Sequence, residues 1–239
     1  MPLSKRYKAV PSVDCIACQH RTLGMFCNFS PVALADFNSV GKLVSLPSGA
    51  ILMREGDPGE RIFVICSGQV KLSCMSKEGK VLNLRIALPG DVLGLSAVVS
   101  GTAFEVTTEA MAPTTVNVVL RDDFLAFLLR HGEASLHAAR TLSAEYRSAF
   151  VDARRLALSG SAAARLASIL LDWGRAAACE KHEMRFTMTL THDDLASFAG
   201  SSRETISRTL GSFQRDNLIQ IHGATVRILL PEKLAELVA

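Results

Sequence analysis

The sequence predicts an α+β chain made of a β-roll, one long helix and a small helical domain that ends in a β-hairpin. Three observations lead to this prediction. Glycine turns separate short apolar runs from about Val40 to Leu120. One helical pattern then continues from about Glu133 to Leu158. Two shorter helical patterns follow, and the hairpin turns at Gly223-Ala224.

The β-region is predicted from its turn signals and from the alternation within its runs. Val70, Leu72 and Cys74 alternate with polar residues, which is the period of two of a half-buried strand. Turn signals recur at short intervals, as in an all-β sandwich or roll. They are Ser48-Gly49, Glu55–Gly59, Ser67-Gly68, Glu78-Gly79, Pro89–Asp91 and Ser100-Gly101.

The long helix carries a stripe of apolar residues that step by three and four, which is the spacing of a coiled-coil seam. The stripe consists of Ala139, Leu142, Tyr146, Ala149, Ala153 and Leu156. Small alanines would let a second helix approach closely, so the seam predicts pairing of two chains. The alternative is that the stripe packs on the β-region of its own chain.

The segment after residue 190 has the signals of two helices joined by a tight turn. Thr191 with Asp194 is predicted to cap the first helix, and Ser201 with Glu204 to form a capping box on the second. Gly200 lies where the turn must fall. With the hairpin behind it, this pattern predicts a winged helix-turn-helix.

The second of these helices separates into two faces. Ile206, Leu210 and Phe213 are spaced to pack inward. Arginine and glutamate on the other face suit guanine and cytosine edges, and they lie in the first turns, the end that enters the major groove. We therefore expect contacts to double-stranded DNA, and the alternative is an ordinary solvated face. The candidate DNA-binding residues are Ser202, Arg203, Glu204, Thr205, Ser207 and Arg208.

Bulk composition adds little about partners. The net charge of +3 arises in residues 1–30, and the rest of the chain sums to zero. The first ten residues lack a secretory signal and no apolar run is long enough to span a bilayer, so we expect a cytoplasmic protein without a membrane partner.

At this point the chain resembles the Crp/Fnr family of bacterial transcription regulators. The residues that carry the resemblance are Gly56–Gly59, Ile62–Gly68, Pro89–Asp91 and Arg203–Arg208, in this order. The resemblance implies a cyclic-nucleotide-binding-type β-roll, a long dimerisation helix and a C-terminal winged helix-turn-helix. It also implies a homodimer that binds a palindromic site and contacts RNA polymerase.

The resemblance leaves the half-site open between two branches of the family. Glu204, Ser207 and Arg208 match the FNR branch, which reads half-sites like TTGAT. Arg203 matches an arginine of the CRP branch, which reads TGTGA. Ser207 favours the FNR side.

These patterns together predict four segments. They are a cysteine-containing N-terminal segment (residues 1–30), a sensory β-roll (31–130), a dimerisation helix (131–160) and a DNA-binding domain (161–239).

The sequence argues against cAMP as the effector. In cAMP-binding relatives a glutamate takes the ribose hydroxyl and an arginine takes the phosphate. Leu95 stands at the glutamate position, and Phe104 or Glu105 at the arginine position. No Lys, Arg or His occurs from Ile86 to Leu120, so a buried phosphate would lack a compensating cation.

Three of the six cysteines, Cys15, Cys18 and Cys27, lie near the N-terminus, and in a reducing compartment such a cluster favours a metal site or redox chemistry. The resemblance implies a [4Fe–4S] cluster, as in FNR-like oxygen sensors, but the expected fourth cysteine falls at Asn117. The spacing from Cys18 to Cys27 is also longer than in the FNR pattern.

Several alternatives for these cysteines remain open. Four residues could supply the fourth cluster ligand, namely Cys66, Cys74, Asp14 and His20. Cys66 and Cys74 also suit a role as buried strand residues, and Cys179 as a helix-packing residue. A zinc site from Cys15, Cys18, His20 and Cys27 has suitable ligands but a cramped spacing. A thiol switch or a relic without a present role are the other readings.

Two further function classes are alternatives to a regulator controlled through its cysteines. One is a ligand-binding regulator in which an unidentified small molecule occupies the β-roll and the cysteines are idle. The other is an enzyme, suggested only by His192-Asp193-Asp194. Asp is expected in the first turn of a helix for its charge, so we expect no catalytic activity.

Overall fold

The computed structural model describes residues 8–9, 15–18, 20–21, 24, 26–181 and 184–238, with no side chains described at 8–9 and 179–181. Asp14 and the side chain of Cys179 therefore lie outside the described residues. The chain forms two compact units. The first holds residues 1–79 and 84–147, and the second holds residues 80–83 and 148–239.

The elements follow the predicted order of a β-rich region, one long helix and a helical region that contains a hairpin, with α1 before the β-rich region. The strands are β1 (Lys8–Ala9), β2 (Lys42–Leu46), β3 (Ile51–Met53), β4 (Arg61–Ser67), β5 (Val70–Met75), β6 (Val81–Ala87), β7 (Val92–Leu93), β8 (Thr107–Ala110), β9 (Thr114–Leu120), β10 (Arg185–Thr187), β11 (Ile219–His222) and β12 (Thr225–Ile228). The helices are α1 (Pro31–Val40), α2 (Leu95–Ser100), α3 (Arg121–Arg130), α4 (Gly132–Leu158), α5 (Ala162–Lys181), α6 (His192–Phe198), α7 (Arg203–Arg215) and α8 (Pro231–Glu236).

Two sheets build the β-roll of the first unit. One has the strand order β1-β2-β9-β4-β7 and the other β3-β8-β5-β6. Strand β4 is buried on both faces because its apolar residues belong alternately to two cores. Phe63 and Ile65 enter the core between the sheets. Ile62 and Val64 enter a second core, which the helices cover.

The second core is rich in phenylalanine and fixes the N-terminal segment to the helices. Phe26 and Phe29 from that segment meet edge to face at 5.5 Å. Phe29 also contacts Phe127 of α3 at 5.4 Å, and Phe37 of α1 contacts the same Phe127 at 5.0 Å. Such pairs add to the gain from burial, so residues 26–29 are held on the β-roll by packing.

Helix α4 covers the long helix that the sequence predicts, and five of the six predicted seam residues are exposed. The exception is Leu142, which is half-buried against the phenylalanine-rich core. The exposed large apolar residues include Leu136 (50%), Tyr146 (67%) and Phe150 (58%). A revised seam keeps Ala139, Tyr146 and Ala153, replaces each of the other predicted residues by the next one along the chain, and passes through these exposed residues. The revised seam is Leu136, Ala139, Ser143, Tyr146, Phe150, Ala153 and Ala157. Which seam pairs two chains stays a prediction.

The second unit has the winged helix-turn-helix that the sequence predicts. Helices α5, α6, α7 and α8 pack with a three-stranded antiparallel sheet of order β10-β12-β11. The β11–β12 hairpin pairs Ile219 with Ile228 and turns at Gly223, whose φ of 56° favours glycine. Trp173 meets Phe198 edge to face at 5.6 Å inside this unit.

Among the helices of the described part of the chain, none is both long enough and apolar enough to span a membrane.

Candidate nucleic-acid interface and thiol cavity

The first helix of the DNA-binding motif begins where the sequence predicts. Thr191 caps α6, and its hydroxyl accepts a hydrogen bond from the Asp194 N–H at 3.1 Å. The Asp194 carboxylate in turn accepts a hydrogen bond from the Thr191 N–H at 3.1 Å. This is a complete capping box, as predicted. Gly200 follows α6 with a φ of 57°, so the turn between the helices uses the left-handed conformation that glycine allows.

The second helix begins one residue later than the capping pattern predicted. Its N-cap is Ser202, whose hydroxyl accepts a hydrogen bond from the Thr205 N–H at 3.2 Å. The predicted capping box of Ser201 with Glu204 is therefore wrong. Ser201 instead uses its N–H to bond the Ala196 carbonyl at 2.9 Å, which places it in the turn.

The two faces of α7 separate as predicted. Ile206, Leu210 and Phe213 are buried, while Arg203, Glu204 and Arg208 are exposed and Ser207 is half-buried. Ser202 is exposed and Thr205 half-buried at the same end of the helix. All six candidate DNA-binding residues thus occupy the N-cap and the first two turns of α7.

Charge on this surface is kept available. A hydrogen bond from its own backbone N–H, with one from Ser202 and the nearby arginines, lowers the pKa of Glu204. Its carboxylate is therefore ionised at neutral pH and can only accept hydrogen bonds. Arg203 pairs with Asp193 at 3.6 Å, but both side chains are about two-thirds exposed, so the pair is weak and easily exchanged.

The His192-Asp193-Asp194 run has structural roles within the motif. His192 Nδ1 lies 2.7 Å from the Ser207 hydroxyl, a hydrogen bond that joins α6 to α7. Asp193 pairs with Arg203, and Asp194 completes the capping box. The hydrogen bond to His192 was not foreseen from the sequence. This bond holds the Ser207 side chain in one orientation beside the other candidate DNA-binding residues of α7.

In the first unit, cysteines from two distant parts of the chain line one cavity of about 300 Å³. Cys15, Cys18 and Cys27 come from the N-terminal segment, and Cys66 comes from β4. The described part of the lining also includes His20, Phe26, Leu34, Phe37, Val64, Ile65, Ser67, Thr115 and Asn117. We call this space the thiol cavity. No disulfide joins any two of the five cysteines whose side chains are described.

Short hydrogen-bonded turns present the N-terminal thiols to this cavity. The Arg21 N–H donates to the Cys18 carbonyl at 3.1 Å, and the Cys27 N–H donates to the Gly24 carbonyl at 3.1 Å. The His20 N–H donates to Cys18 Sγ at 3.4 Å. Backbone hydrogen bonds to cysteine sulfur are among the factors that tune metal–sulfur sites.

Burial and the neighbouring thiols disfavour ionisation of Cys27 and Cys66. Burial raises the pKa of Cys27 to about 11, with further contributions from Cys15 and Cys18. Burial also raises the pKa of Cys66 to about 12, and Cys15, Cys27 and Cys18 add to it while the Asn117 backbone opposes it. Cys27 and Cys66 thus carry protons at neutral pH, whereas a reactive thiol switch requires a lowered pKa.

The thiols surround a space instead of converging on a point. Among the described residues, no group of three or more His, Cys, Asp or Glu is placed to hold one metal ion. The arrangement therefore does not match the tetrahedral zinc site considered for Cys15, Cys18, His20 and Cys27. A group of several atoms that spans the cavity is a better match for four separated sulfurs.

The other candidate fourth ligands differ in position. Cys74, on β5, is not among the cavity-lining residues. Asn117, on β9, lines the cavity and is only 6% exposed, and its Oδ1 has no hydrogen-bond partner in the described structure. The cavity lining is mostly apolar, and the thiols and this amide are among its few polar groups.

Comparison with known proteins decides the family. Residues 43–131 match the cyclic nucleotide-binding domain, and residues 164–237 match the Crp-like helix-turn-helix domain. A CRP-like cAMP-activated global transcriptional regulator of Mycobacterium tuberculosis is 30% identical over 218 residues, which is 89% of this chain and 95% of the relative. This chain belongs to the Crp/Fnr family of transcriptional regulators. It is a DNA-binding helix-turn-helix regulator.

Other members of the family are also similar along most of their length. The transcriptional activator protein anr of Pseudomonas aeruginosa is 25% identical, and the alignment covers 94% of this chain and 92% of that one. The structure of FixK2 from Bradyrhizobium japonicum superposes with a TM-score of 0.73 at 22% identity, covering 84% of this chain and 98% of FixK2. The latter likeness shows the common fold.

In this Crp/Fnr protein, Leu95 and Phe104 stand at the positions expected to hold a cyclic nucleotide, and neither side chain carries a charge. Both side chains are buried, and the Glu105 carboxylate accepts a hydrogen bond from the Ser96 hydroxyl at 2.9 Å. The first cation after this segment, Arg121, donates from Nε to the Val98 carbonyl at 3.0 Å. That cAMP does not bind stays a prediction.

Proposed function

We propose that this Crp/Fnr regulator binds palindromic promoter DNA as a homodimer and that the thiol cavity makes its DNA affinity depend on oxygen or redox state. The observation that carries the second part is the meeting of Cys15, Cys18, Cys27 and Cys66 at one cavity. Contact with RNA polymerase is expected once the dimer is on its promoter.

The proposed DNA contacts follow from the chemistry of the α7 surface. Arg203 and Arg208 can each donate two hydrogen bonds to a guanine, and Glu204 can accept one from a cytosine N4. Ser207, held by His192, and the hydroxyls of Ser202 and Thr205 can bond a base edge or a phosphate. Two copies of α7 would read half-sites one helical turn apart, about 34 Å, on an inverted repeat.

The proposed dimer contact is the revised seam of α4. Its exposed apolar side chains, Leu136, Tyr146 and Phe150, are what a soluble monomer avoids and what a paired helix buries. Ala139 and Ala153 between them would allow close approach of the two helices. A twofold axis along this seam would present the same face from both chains.

The proposed redox centre is an iron–sulfur cluster. The donor set fits such a group because cysteine thiolates hold it, and the cavity offers several of them within a protected volume of about 300 Å³. When bound, the cluster would supply sensitivity to oxygen. Cys15, Cys18 and Cys27 would bind it, and the N–H donor of His20 would stay on Cys18.

The cavity has a direct route to the dimerisation helix. Ser30, three residues after Cys27, donates its hydroxyl and its N–H to the Glu133 carboxylate in the first turn of α4. The ring of Phe29 stacks on His137 of α4 at 5.3 Å. Any shift of the segment that carries Cys27 is therefore passed to the start of α4.

Oxygen dependence of DNA binding tests the proposal. The protein is purified without oxygen, and its affinity for a duplex with inverted TTGAT half-sites is measured by fluorescence anisotropy before and after exposure to air. The same is done with a TGTGA duplex. We expect at least a tenfold loss of affinity in air. A variant with Cys15, Cys18 and Cys27 all replaced by Ala should not respond, whereas Cys74→Ala, outside the cavity, should respond as the natural chain does.

A second candidate function is control by a small molecule in the β-roll. It is favoured by the match of residues 43–131 to the cyclic nucleotide-binding domain. Equal affinity in the presence and absence of air would contradict redox control. A change of affinity on adding cAMP to the triple cysteine variant would then favour the second candidate.

A further inference from the structure

We infer that Cys66, on β4, supplies the fourth sulfur ligand of an iron–sulfur cluster in the thiol cavity, in place of the β9 position that Asn117 occupies. This inference rests on the proposed redox function and specifies its site. It assigns a ligand to a strand next to the one on which the family resemblance placed it.

Cys66 lies at a β-bulge beside the cavity. Strand β4 pairs regularly with β9 up to Ile65, opposite Val116, and then Ser67 lies opposite Thr115. Cys66 is thus the extra residue of the bulge and has no regular partner on β9. Bulges are frequent beside functional sites.

The alternation of β4 places Cys66 on the side of the N-terminal thiols. Ile62 and Val64 face the core that contains Phe26 and Phe29 of the N-terminal segment, and Cys66 continues the same set. That core also includes the partly buried Cys15 and Cys27. The Cys66 S–H donates only a long bond of 3.7 Å, to the Val64 carbonyl, and the Asn117 backbone is hydrogen-bonded to the Cys66 sulfur.

Asn117 lines the same cavity as Cys66, so a cysteine placed at position 117 would share that space. The Asn117 Oδ1 is buried without a hydrogen-bond partner in the described structure. The amide lies against Gly41, where an added Cβ would come within 2.2 Å of Oδ1. The glycine therefore leaves room for this side chain, which lines the cavity together with Cys66.

The number and spread of sulfurs fit a cluster better than an ion. Four cysteines line the cavity, which is the ligand count of a [4Fe–4S] cluster. The described residues hold no group placed for a single metal ion, so the thiols are spaced around a volume. A cluster bridges such a volume through its own iron and sulfide atoms.

Iron and sulfide analysis of variants tests the inference without using DNA binding. The natural chain and four variants are reconstituted with iron and sulfide in the absence of oxygen. The variants are Cys66→Ala, the double variant Cys66→Ala/Asn117→Cys, and the controls Cys18→Ala, inside the cavity, and Cys74→Ala, outside it. Iron, acid-labile sulfide, visible absorbance and the electron paramagnetic resonance spectrum are recorded, and circular dichroism checks the fold.

The expected result is about four iron and four sulfide per chain in the natural protein and in Cys74→Ala. Cys66→Ala should keep its fold and lose most of the iron, or retain a three-iron cluster with its own resonance signal. The double variant should regain the four-iron cluster, because a thiol at position 117 opens onto the same cavity.

Two results would overturn the inference, and they are distinguishable. If Cys66→Ala holds about four iron with an unchanged spectrum while Cys18→Ala does not, the fourth ligand is elsewhere and redox control still stands. If the natural chain binds no iron at all, the inference fails together with the iron–sulfur part of the proposed function.

Discussion

At the scale of single residues, Arg203 and Arg208 on the exposed face of α7 differ in their contacts with other side chains. Arg203 is engaged in an exposed ion pair with Asp193. Arg208 is exposed on the second turn of α7 and forms no hydrogen bond or ion pair with any other described residue. Its guanidinium is therefore the more available of the two for bidentate contact with a guanine.

Arg208→Ala should weaken specific DNA binding because it removes a bidentate donor. We expect a loss of about 1–3 kcal/mol for the preferred duplex, a factor of about 5 to 150 in affinity. Discrimination at the guanine it contacts should relax as well. Fluorescence anisotropy with the preferred duplex and with single-base variants measures both effects.

Arg215→Ala is the matched control, since Arg215 carries the same charge at the last turn of the same helix. It should lower affinity for all duplexes by a similar, smaller factor and leave base preference unchanged. An unchanged base preference in Arg208→Ala, with a loss of affinity equal to that of Arg215→Ala, would show that Arg208 acts only through its charge.

At the scale of an element, the start of α7 depends on which serine caps it. The pattern Ser201…Glu204 and the pattern Ser202…Thr205 overlap in sequence, and either serine is a suitable N-cap residue. Folding selects Ser202, because Ser201 is used in closing the turn with its N–H on the Ala196 carbonyl. The turn geometry therefore sets the first residue of the recognition helix and the phase of its exposed face.

Ser202→Ala should destabilise the second unit, and Ser201→Ala should not. Loss of the cap is expected to cost about 1 kcal/mol, within a range of about 0.5–2. Ser201→Ala should stay within about 0.5 kcal/mol of the natural chain. Urea unfolding followed through Trp173, the only tryptophan in the chain, reports on this unit.

The opposite order of stabilities would contradict the cap that the structure shows. A larger loss in Ser201→Ala than in Ser202→Ala would mean that α7 begins one residue earlier, as the capping-box pattern predicts. The exposed residues of the helix would then be displaced by one position.

At the scale of the whole molecule, one face of α4 packs on the core of the first unit and the other carries the proposed dimer contact. Leu142 packs on the phenylalanine-rich core, so it contributes to the fold of the first unit. Phe150 is 58% exposed and lies on the revised seam. The proposed homodimer therefore depends on Phe150 and the fold depends on Leu142, although the sequence pattern alone placed Leu142 on the dimer seam.

Phe150→Ala should weaken the homodimer, because each copy would lose a large side chain from the seam. Full burial of a phenylalanine is worth about 1.5–3 kcal/mol, so the dissociation constant should rise by at least about tenfold. Sedimentation equilibrium measures it, and circular dichroism should show an unchanged fold.

Leu142→Ala serves as the comparison for this prediction. It should lower the thermal stability of the chain and leave the dissociation constant of the dimer unchanged. If Leu142→Ala weakens the dimer and Phe150→Ala does not, the revised seam is wrong and the seam predicted from sequence is right.

The parts of this protein that the sequence predicted correctly depend on neighbours along the chain. The hairpin around Gly223, the capping box of Thr191 and the apolar face of α7 are set by periods and turns within a few residues. For the same reason the motifs of the Crp/Fnr family could be read in order from the sequence.

Other features depend on where distant residues meet, and the tertiary structure alone decided them. The sequence shows three clustered cysteines and cannot show that Cys66 faces them, because the packing of β4 against the N-terminal segment brings it there. The inner and outer faces of α4 are likewise chosen by the core on which Leu142 packs. Local pattern therefore determined the elements and the family, and long-range packing decided which thiols share a cavity and which face of α4 is left exposed.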